Sequence, residues 1–233
     1  HLAGMGLLVL GLAVWLASAA DWGLGYAAHA IGVYGLGVWL VWRGLRHHPF
    51  AQFGAANFVT LGRMAALSLL MALAAQALWY ATPKLTPWAA WALVAVAVGT
   101  ASLDAVDGAL ARRNGLASDF GARFDMETDA AFILALCVLV VQHGHTGPWI
   151  LAVGLMRYLF VAAAYIWPWL SAPLAPSRRR QAVCVLQVVV LIASLAPVMS
   201  PRLALLLGVG SLAALALSFA IDVLHLAQQR RTT

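Results

Sequence analysis

The chain has 233 residues, of which 64% are hydrophobic and only 9% are charged, and its mean hydropathy is +0.89. In soluble domains about a quarter of all residues are charged. This composition therefore excludes an ordinary soluble domain and indicates a polytopic membrane protein. The net charge of +6 does not indicate nucleic acid, because basic residues in membrane proteins set topology and contact anionic headgroups. We therefore expect membrane lipids, and no nucleic acid, as partners.

Apolar stretches recur along the whole chain and predict about eight transmembrane helices in an all-α integral membrane protein. Segments of this kind are helical because lipid offers no hydrogen-bond partner to an unpaired backbone group. Prolines fall between the stretches, where helix breakers are expected. The approximate bounds are 3–19, 26–43, 57–81, 87–112, 119–142, 148–169, 179–199 and 202–226.

The distribution of basic residues predicts the orientation of these helices. Eleven arginines fall on one side of the predicted spans, whereas only Lys84 and Arg202 fall on the other. Cytoplasmic loops are enriched in Lys and Arg. We therefore expect both termini, and the stretch from Asp104 to Asp129, on the cytoplasmic side.

That stretch holds six of the eight acidic residues of the chain. Its first part follows an i, i+3, i+4, i+7 spacing that places side chains on one helical face: Asp104, Asp107, Gly108 and Ala111. Its second part repeats every four residues on the next helix and again shares a face: Gly121, Asp125 and Asp129. Asn114-Gly115 favours a helix end and Ser118 an N-cap, so a short turn brings the two acidic faces together.

Converging carboxylates at the edge of the hydrocarbon region need a countercharge. Oxygen ligands without His or Cys suit Mg²⁺ or Mn²⁺, and two such ions shared between carboxylates suit a phosphate-containing substrate. Arg112 follows directly and could hold a phosphate that the carboxylates would repel. Asp119 and Glu127 lie off the shared face, and we interpret them as solvated side chains.

The spacing D-x2-D-G-x2-A-R-x8-G-x3-D-x3-D resembles the signature of the CDP-alcohol phosphotransferase (CDP-alcohol phosphatidyltransferase) family. The helices from residue 57 onward also resemble the six-helix core of that family. We therefore divide the chain into two additional N-terminal helices, 1–45, and a catalytic core, 46–233. The fixed positions are all matched: Asp104, Asp107, Gly108, Ala111, Arg112, Gly121, Asp125 and Asp129.

The resemblance implies a reaction in which an acceptor alcohol displaces CMP from a CDP-linked alcohol, often CDP-diacylglycerol. It implies that Asp104, Asp107 and Asp125 bind the metal ions, with Asp129 completing the metal site and acting as the base. It implies that the cytidine diphosphate is received by Gly108, Ala111 and Arg112, with Gly121 at the same face. The expected location is a bacterial inner membrane with the active site facing the cytoplasm, and the resemblance also allows a homodimer.

Two further sets of residues are candidates for binding. NFVTLGR at 57–63 resembles the N-x-x-T-x-x-R opening of the first core helix of the family, which adds Asn57, Thr60 and Arg63 as nucleotide-site candidates. A capped helix start with a topology-setting arginine explains the same residues equally well. Arg157 falls well inside a predicted span, where a charged residue points to function, such as binding a phosphate or an anionic acceptor.

Other functions remain open at this point. A CDP-choline or CDP-ethanolamine donor with diacylglycerol as acceptor fits the same motif. A prenyl-diphosphate transferase of the UbiA type also uses Asp-rich helices, but its two acidic motifs lie far apart in sequence. A cation transporter would place ionisable residues in the middle of several spans. The first two spans are predicted to be dispensable for the chemistry.

Overall fold

A computed structural model of the protein describes residues 2–45, 55–79, 85–114, 119–144 and 146–232, with the backbone alone described for residues 44–45, 55, 77–79, 105–114, 119 and 231–232. These described residues form α-helices and two short 3-10 helices, Pro148–Ile150 and Pro168–Ser171, with no strand among them. The eight α-helices are α1 (Leu2–Ala19), α2 (Leu24–Leu45), α3 (Ala55–Trp79), α4 (Pro87–Asn114), α5 (Asp119–Gln142), α6 (Leu151–Ile166), α7 (Arg178–Leu195) and α8 (Pro201–Thr232). The predicted all-α fold is therefore confirmed.

Six of the described helices are long and apolar enough to cross a membrane, namely α1, α2, α3, α4, α6 with its preceding 3-10 turn, and α8. The other two, α5 and α7, carry charged residues at their N-terminal ends, which lowers their apolar character. In α7 these are the three arginines 178–180, and in α5 they include Asp125 and Asp129. Two of the charges that weaken α5 as a span, Asp125 and Asp129, are thus ones that the motif requires.

Prolines set several helix boundaries. Both α4 and α8 begin at a proline, Pro87 and Pro201, because the first helical position needs no backbone N–H and suits the fixed φ of proline. The sixth span, expected at about 148–169, ends slightly sooner, since α6 stops at Ile166. Trp167, which precedes Pro168, has the non-helical angles φ −119° and ψ 87°, as steric contact with the following proline ring favours.

The seventh helix was expected to reach residue 199 and ends at Leu195 instead. The reason is again a proline. Ala196 directly precedes Pro197 and has an extended ψ of 134°, because the proline ring disfavours the helical region for the residue before it. The short link to α8 therefore begins about four residues sooner than hydropathy alone suggests.

The chain forms two compact units, His1–Ala135 and Leu136–Thr233. In the first unit α3 is the central helix and packs against α1, α2 and α4. In the second unit α8 packs against α6, α7 and the two 3-10 turns. This division differs from the expected boundary after residue 45, which rests on family resemblance and stays a prediction.

Hydrogen bonds between helices attach the N-terminal pair to α3. The Tyr26 hydroxyl on α2 donates to the carbonyl oxygen of Leu69 at 3.1 Å, and the Gln76 amide on α3 donates to the carbonyl oxygen of Trp22 at 2.6 Å. Tyr26 and Gln76 are both buried. Buried polar groups require such partners, so these bonds specify how the α1–α2 pair sits on α3.

In the second unit a glycine lets α8 approach the 3-10 turn before α6. A Cβ added at Gly208 would lie 2.8 Å from the ring of Trp149 and 3.2 Å from Ile150. The Gln187 amide on α7 donates to the carbonyl oxygen of Ser211 on α8 at 2.8 Å. Small residues and interhelical hydrogen bonds are the usual basis of helix association in lipid.

Candidate active site

The face of α3 near its N-terminus carries the three residues of the N-x-x-T-x-x-R pattern. Asn57, Thr60 and Arg63 are all buried, and the Arg63 side chain is only 1% exposed. Their i, i+3, i+6 spacing keeps them within about a third of the helix circumference. The Thr60 hydroxyl donates to the carbonyl oxygen of Ala56 at 3.2 Å, a local bond typical of threonine in a helix.

Two other helices contribute acidic residues to the same place. Asp104 lies on the C-terminal half of α4, and Asp125 and Asp129 lie one turn apart in the first half of α5. One oxygen from each of these three carboxylates lies within 4.8 Å of the other two. The convergence of the two acidic faces is thus observed for Asp104, Asp125 and Asp129, which we call the carboxylate cluster.

Arg63 joins the carboxylate cluster to α3. Its Nη1 lies 2.5 Å from Oδ1 of Asp125 and 3.0 Å from Oδ1 of Asp104, and its Nη2 donates to Oδ1 of Asp129. The guanidinium is permanently charged and presents several donors in one plane. A single side chain can therefore bind carboxylates from two other helices at once.

Solvent reaches the two partners in this contact very differently. The three aspartate side chains are 43%, 36% and 28% exposed for Asp104, Asp125 and Asp129, whereas Arg63 is 1% exposed. The guanidinium thus lies beneath the carboxylates, and the carboxylates line the accessible side. A ligand that arrives from solvent meets negative charge first, which favours a cation.

The carboxylate cluster fits a hard divalent cation. Its donors are oxygen atoms only, which is the set that Mg²⁺ and Mn²⁺ prefer. Mg²⁺ at about 2.1 Å from each ligand brings two ligands to within about 4.2 Å of each other. Because the three oxygens already lie within 4.8 Å, small side-chain rotations would let them share one ion.

Several residues of the predicted motif are placed only by their backbone. Asp107, Gly108, Ala111 and Arg112 lie on α4, and their side chains are outside the described part of the structure. The turn at 115–118, with the expected N-cap Ser118, is outside it as well. Their roles in binding metal and nucleotide stay predictions.

The described part of α5 agrees with the expected facial pattern. Gly121 lies one turn before Asp125, and both are partly buried, as is Asp129. Arg123 and Glu127, which lie off this face, are exposed. The four-residue repeat therefore separates the cluster face from the solvated face of the helix.

The remaining arginine candidates belong to the second unit. Arg157 lies on α6, partly buried, within the candidate span Pro148–Ile166. Arg179 binds Asp222 of α8 at 2.5 Å and also donates to the Ser218 hydroxyl at 2.9 Å. Arg180 lies 3.3 Å from Asp222. These two arginines therefore join α7 to α8, a role that the sequence does not indicate because no local spacing pairs the two helices.

The contact between Arg63 and the carboxylates was also missed. The sequence indicates that the carboxylates need a countercharge, but the one arginine that the sequence analysis places beside them is Arg112, as a phosphate ligand. The available signal was the position of Arg63 at the predicted cytoplasmic end of a buried helix. Position alone does not pair two helices, so the partner could not be identified without the fold.

Comparison with known proteins adds one finding. A family model described as CDP-alcohol phosphatidyltransferase matches residues 53–221, which is more than half of the chain and includes Arg63 and the whole carboxylate cluster. No curated protein and no solved structure matches the chain significantly.

Proposed function

The chain belongs to the CDP-alcohol phosphatidyltransferase family, and we propose that it moves a phosphatidyl group from CDP-diacylglycerol to the hydroxyl of an acceptor alcohol. CMP is the second product. The observation that carries the proposal is the carboxylate cluster, because its residues occupy motif positions and converge within 4.8 Å. Family membership favours this transfer over prenyl transfer or ion transport.

The residues proposed to hold the metal ions are Asp104, Asp107, Asp125 and Asp129, with Mg²⁺ or Mn²⁺ as the cation and two ions by family resemblance. A bound ion would stabilise the negative charge that develops on the CMP leaving group. The oxygen-only donor set of the described carboxylates supports this assignment. Asp107 would complete the set from α4.

The proposed chemistry needs one base. The acceptor oxygen forms a bond to the phosphorus that carries diacylglycerol, the pyrophosphate bond breaks, and CMP leaves with the bridging oxygen. The hydroxyl proton passes to the carboxylate of Asp129, a general-base role of the usual kind. Arg63 donates to Oδ1 of Asp129 and would fix the orientation of this carboxylate.

The nucleotide and acceptor sites are proposed from fewer observations. Gly108, Ala111, Arg112 and Gly121 would receive the cytidine diphosphate. Asn57 and Thr60 share the α3 face of Arg63, which supports a place for them beside the donor. Arg157 is a candidate for a phosphate or an anionic acceptor, because a charged side chain inside a span is costly without a role.

The proposed location is a bacterial inner membrane, with the carboxylate cluster on the cytoplasmic side. The support is the excess of arginines on one side of the spans. The nucleotide part of a CDP-linked lipid in the cytoplasmic leaflet would meet the site from that side. A homodimer is allowed by family resemblance.

The proposal is tested with purified protein, CDP-diacylglycerol, Mg²⁺ and a panel of acceptors, with CMP measured by mass spectrometry. Glycerol phosphate, inositol phosphate, serine and lipid alcohols make up the panel, and CDP-choline with diacylglycerol is run as a second donor pair. We expect CMP release that depends on one acceptor and disappears in Asp125→Asn. CMP release only from CDP-choline would show that the donor is not CDP-diacylglycerol. If no donor and acceptor pair gives acceptor-dependent CMP release, the proposed function is refuted.

A further inference from the structure

Arg63 binds the same three carboxylates that a cation would use. It contacts Oδ1 of Asp104, Asp125 and Asp129, and these three residues form the group whose oxygens could hold a metal ion. A guanidinium donor and a metal ion both need the lone pairs of a carboxylate oxygen. The two therefore compete, either for the same lone pairs or through repulsion between neighbouring positive charges.

The charge of the described side chains supports such a balance. Three carboxylates and one guanidinium together carry a net charge of −2. One divalent cation would neutralise that charge. Without Arg63 the excess would be three, and the partly buried carboxylates would repel one another more strongly. A second divalent ion would make the net charge of the cluster positive unless it arrives with an anion, such as the pyrophosphate of the donor.

The position and the charge of Arg63 are both fixed. Its side chain is 1% exposed, and it belongs to α3, the helix that α1, α2 and α4 surround. Its charge cannot be lost by deprotonation. The positive charge is therefore a permanent part of the site and acts on any cation that the carboxylates bind.

We propose that Arg63 is a built-in countercharge that holds the carboxylate cluster together before metal binds and weakens metal binding in the absence of nucleotide. This proposal rests on the metal site of the proposed function. It makes Arg63 a positioning residue rather than a nucleotide ligand. Its consequence is that removing the charge tightens cation binding in the absence of nucleotide.

The test is a calorimetric titration of Mn²⁺ into the purified full-length protein without nucleotide. Arg63→Gln removes the charge and keeps a polar side chain, which is shorter than that of arginine. Arg123→Gln is the matched control, because it removes one positive charge from an exposed position on α5 beside the cluster. We expect roughly ten- to a hundredfold tighter Mn²⁺ binding in Arg63→Gln, and binding close to the unsubstituted protein in Arg123→Gln.

Thermal unfolding supplies a second measurement. In EDTA, Arg63→Gln is expected to unfold at a lower temperature than the unsubstituted protein, because its carboxylates have lost their countercharge. Mn²⁺ should raise its midpoint more than it raises that of the unsubstituted protein. If Arg63→Gln can be purified only in Mn²⁺, that result supports the proposal, since the ion then replaces the guanidinium.

The outcomes separate this proposal from the function on which it rests. If the unsubstituted protein binds Mn²⁺ and folded Arg63→Gln binds it no more tightly, the countercharge role fails and the metal site stands. If neither protein binds Mn²⁺, with or without CDP-diacylglycerol, the metal site itself fails. If Arg63→Gln does not fold in any buffer, Arg63→Met decides, because it removes the same charge and leaves an apolar side chain that suits a buried position. Tighter Mn²⁺ binding in Arg63→Met supports the proposal, and unchanged or weaker binding overturns it.

Discussion

Asp125 and Glu127 are two residues apart on α5, yet they occupy different surroundings. Asp125 lies 2.5 Å from Nη1 of Arg63 inside the carboxylate cluster, whereas Glu127 is exposed. We expect Asp125→Asn to abolish CMP release with little loss of folded protein, because one metal ligand is lost and the apolar packing is kept. Glu127→Gln, the matched control, should retain nearly the full rate. Near-normal turnover in Asp125→Asn would remove this residue from the site.

Asp129 is expected to differ from the other members of the carboxylate cluster. It follows Asp125 by one turn, about 6 Å along the helix axis, and it is the least exposed of the three. As the base, Asp129→Asn should lower turnover by roughly 10²–10⁴ while keeping most of its affinity for CDP-diacylglycerol and metal. Asp104→Asn should instead lose metal binding together with rate.

Calorimetry and CMP release on the same preparations measure this contrast. If Asp129→Asn loses metal as completely as Asp104→Asn, Asp129 is mainly a ligand and the base lies elsewhere.

For single residues, the sequence predicted the shared face of the aspartates but not the residue that they contact. Helical periodicity alone placed Asp125 and Asp129 on one face, because residues four apart on a helix always lie together. The partner of these carboxylates depends on how α3 packs beside α4 and α5, and no local spacing records that packing. Arg63 was therefore expected near a nucleotide, and its contact with three aspartates became visible only in the fold.

Among the helices, α8 offers a test of close packing. Gly208 is buried where a Cβ would meet the ring of Trp149 at 2.8 Å, whereas a Cβ at Gly210 meets nothing within 4 Å. We expect Gly208→Leu to destabilise the protein by about 1–3 kcal/mol, the usual cost of overpacking, seen as a lower unfolding midpoint in detergent. Gly210→Leu makes the same change two residues away and should leave the midpoint unchanged or higher. Equal midpoints for both variants would contradict the packing seen here.

The α1–α2 pair gives a second prediction at the scale of elements. A protein truncated to begin near Arg43 should keep transferase activity per folded molecule, because the family match begins at residue 53. It should also unfold at a lower temperature, since Gln76 loses its bond to the carbonyl oxygen of Trp22 and α3 loses its packing against α1 and α2. The measurements are CMP release and the unfolding midpoint. A folded but inactive truncated protein would show that the pair takes part in the chemistry.

Helix boundaries show what hydropathy can predict. The fifth helix was expected at 119–142 and is found at Asp119–Gln142. The helix stop at Asn114-Gly115 limits where it can begin, and the length of its apolar run limits where it can end. The sixth and seventh helices ended sooner than expected, at Ile166 and Leu195. Both runs stay apolar past the boundary, so the hydropathy is unchanged while the following prolines end the helix.

For the molecule as a whole, activity should depend on a divalent cation. After treatment with EDTA and removal of the chelator, we expect no CMP release until Mg²⁺ or Mn²⁺ is added. The reason is that the carboxylate cluster offers only oxygen donors. Full turnover in a metal-stripped preparation would refute the metal mechanism, and Ca²⁺ in place of Mg²⁺ tests whether the smaller ion is required.

The residues of the site all lie in the unit that is synthesised first. Arg63, Asp104, Asp125 and Asp129 all belong to the unit His1–Ala135. Ribosomes synthesise proteins from the N-terminus, and compact units can fold as they emerge. The ion pairs of the site can therefore form before synthesis of the second unit is complete. We expect a nascent chain arrested once α5 has left the ribosome to bind Mn²⁺ already.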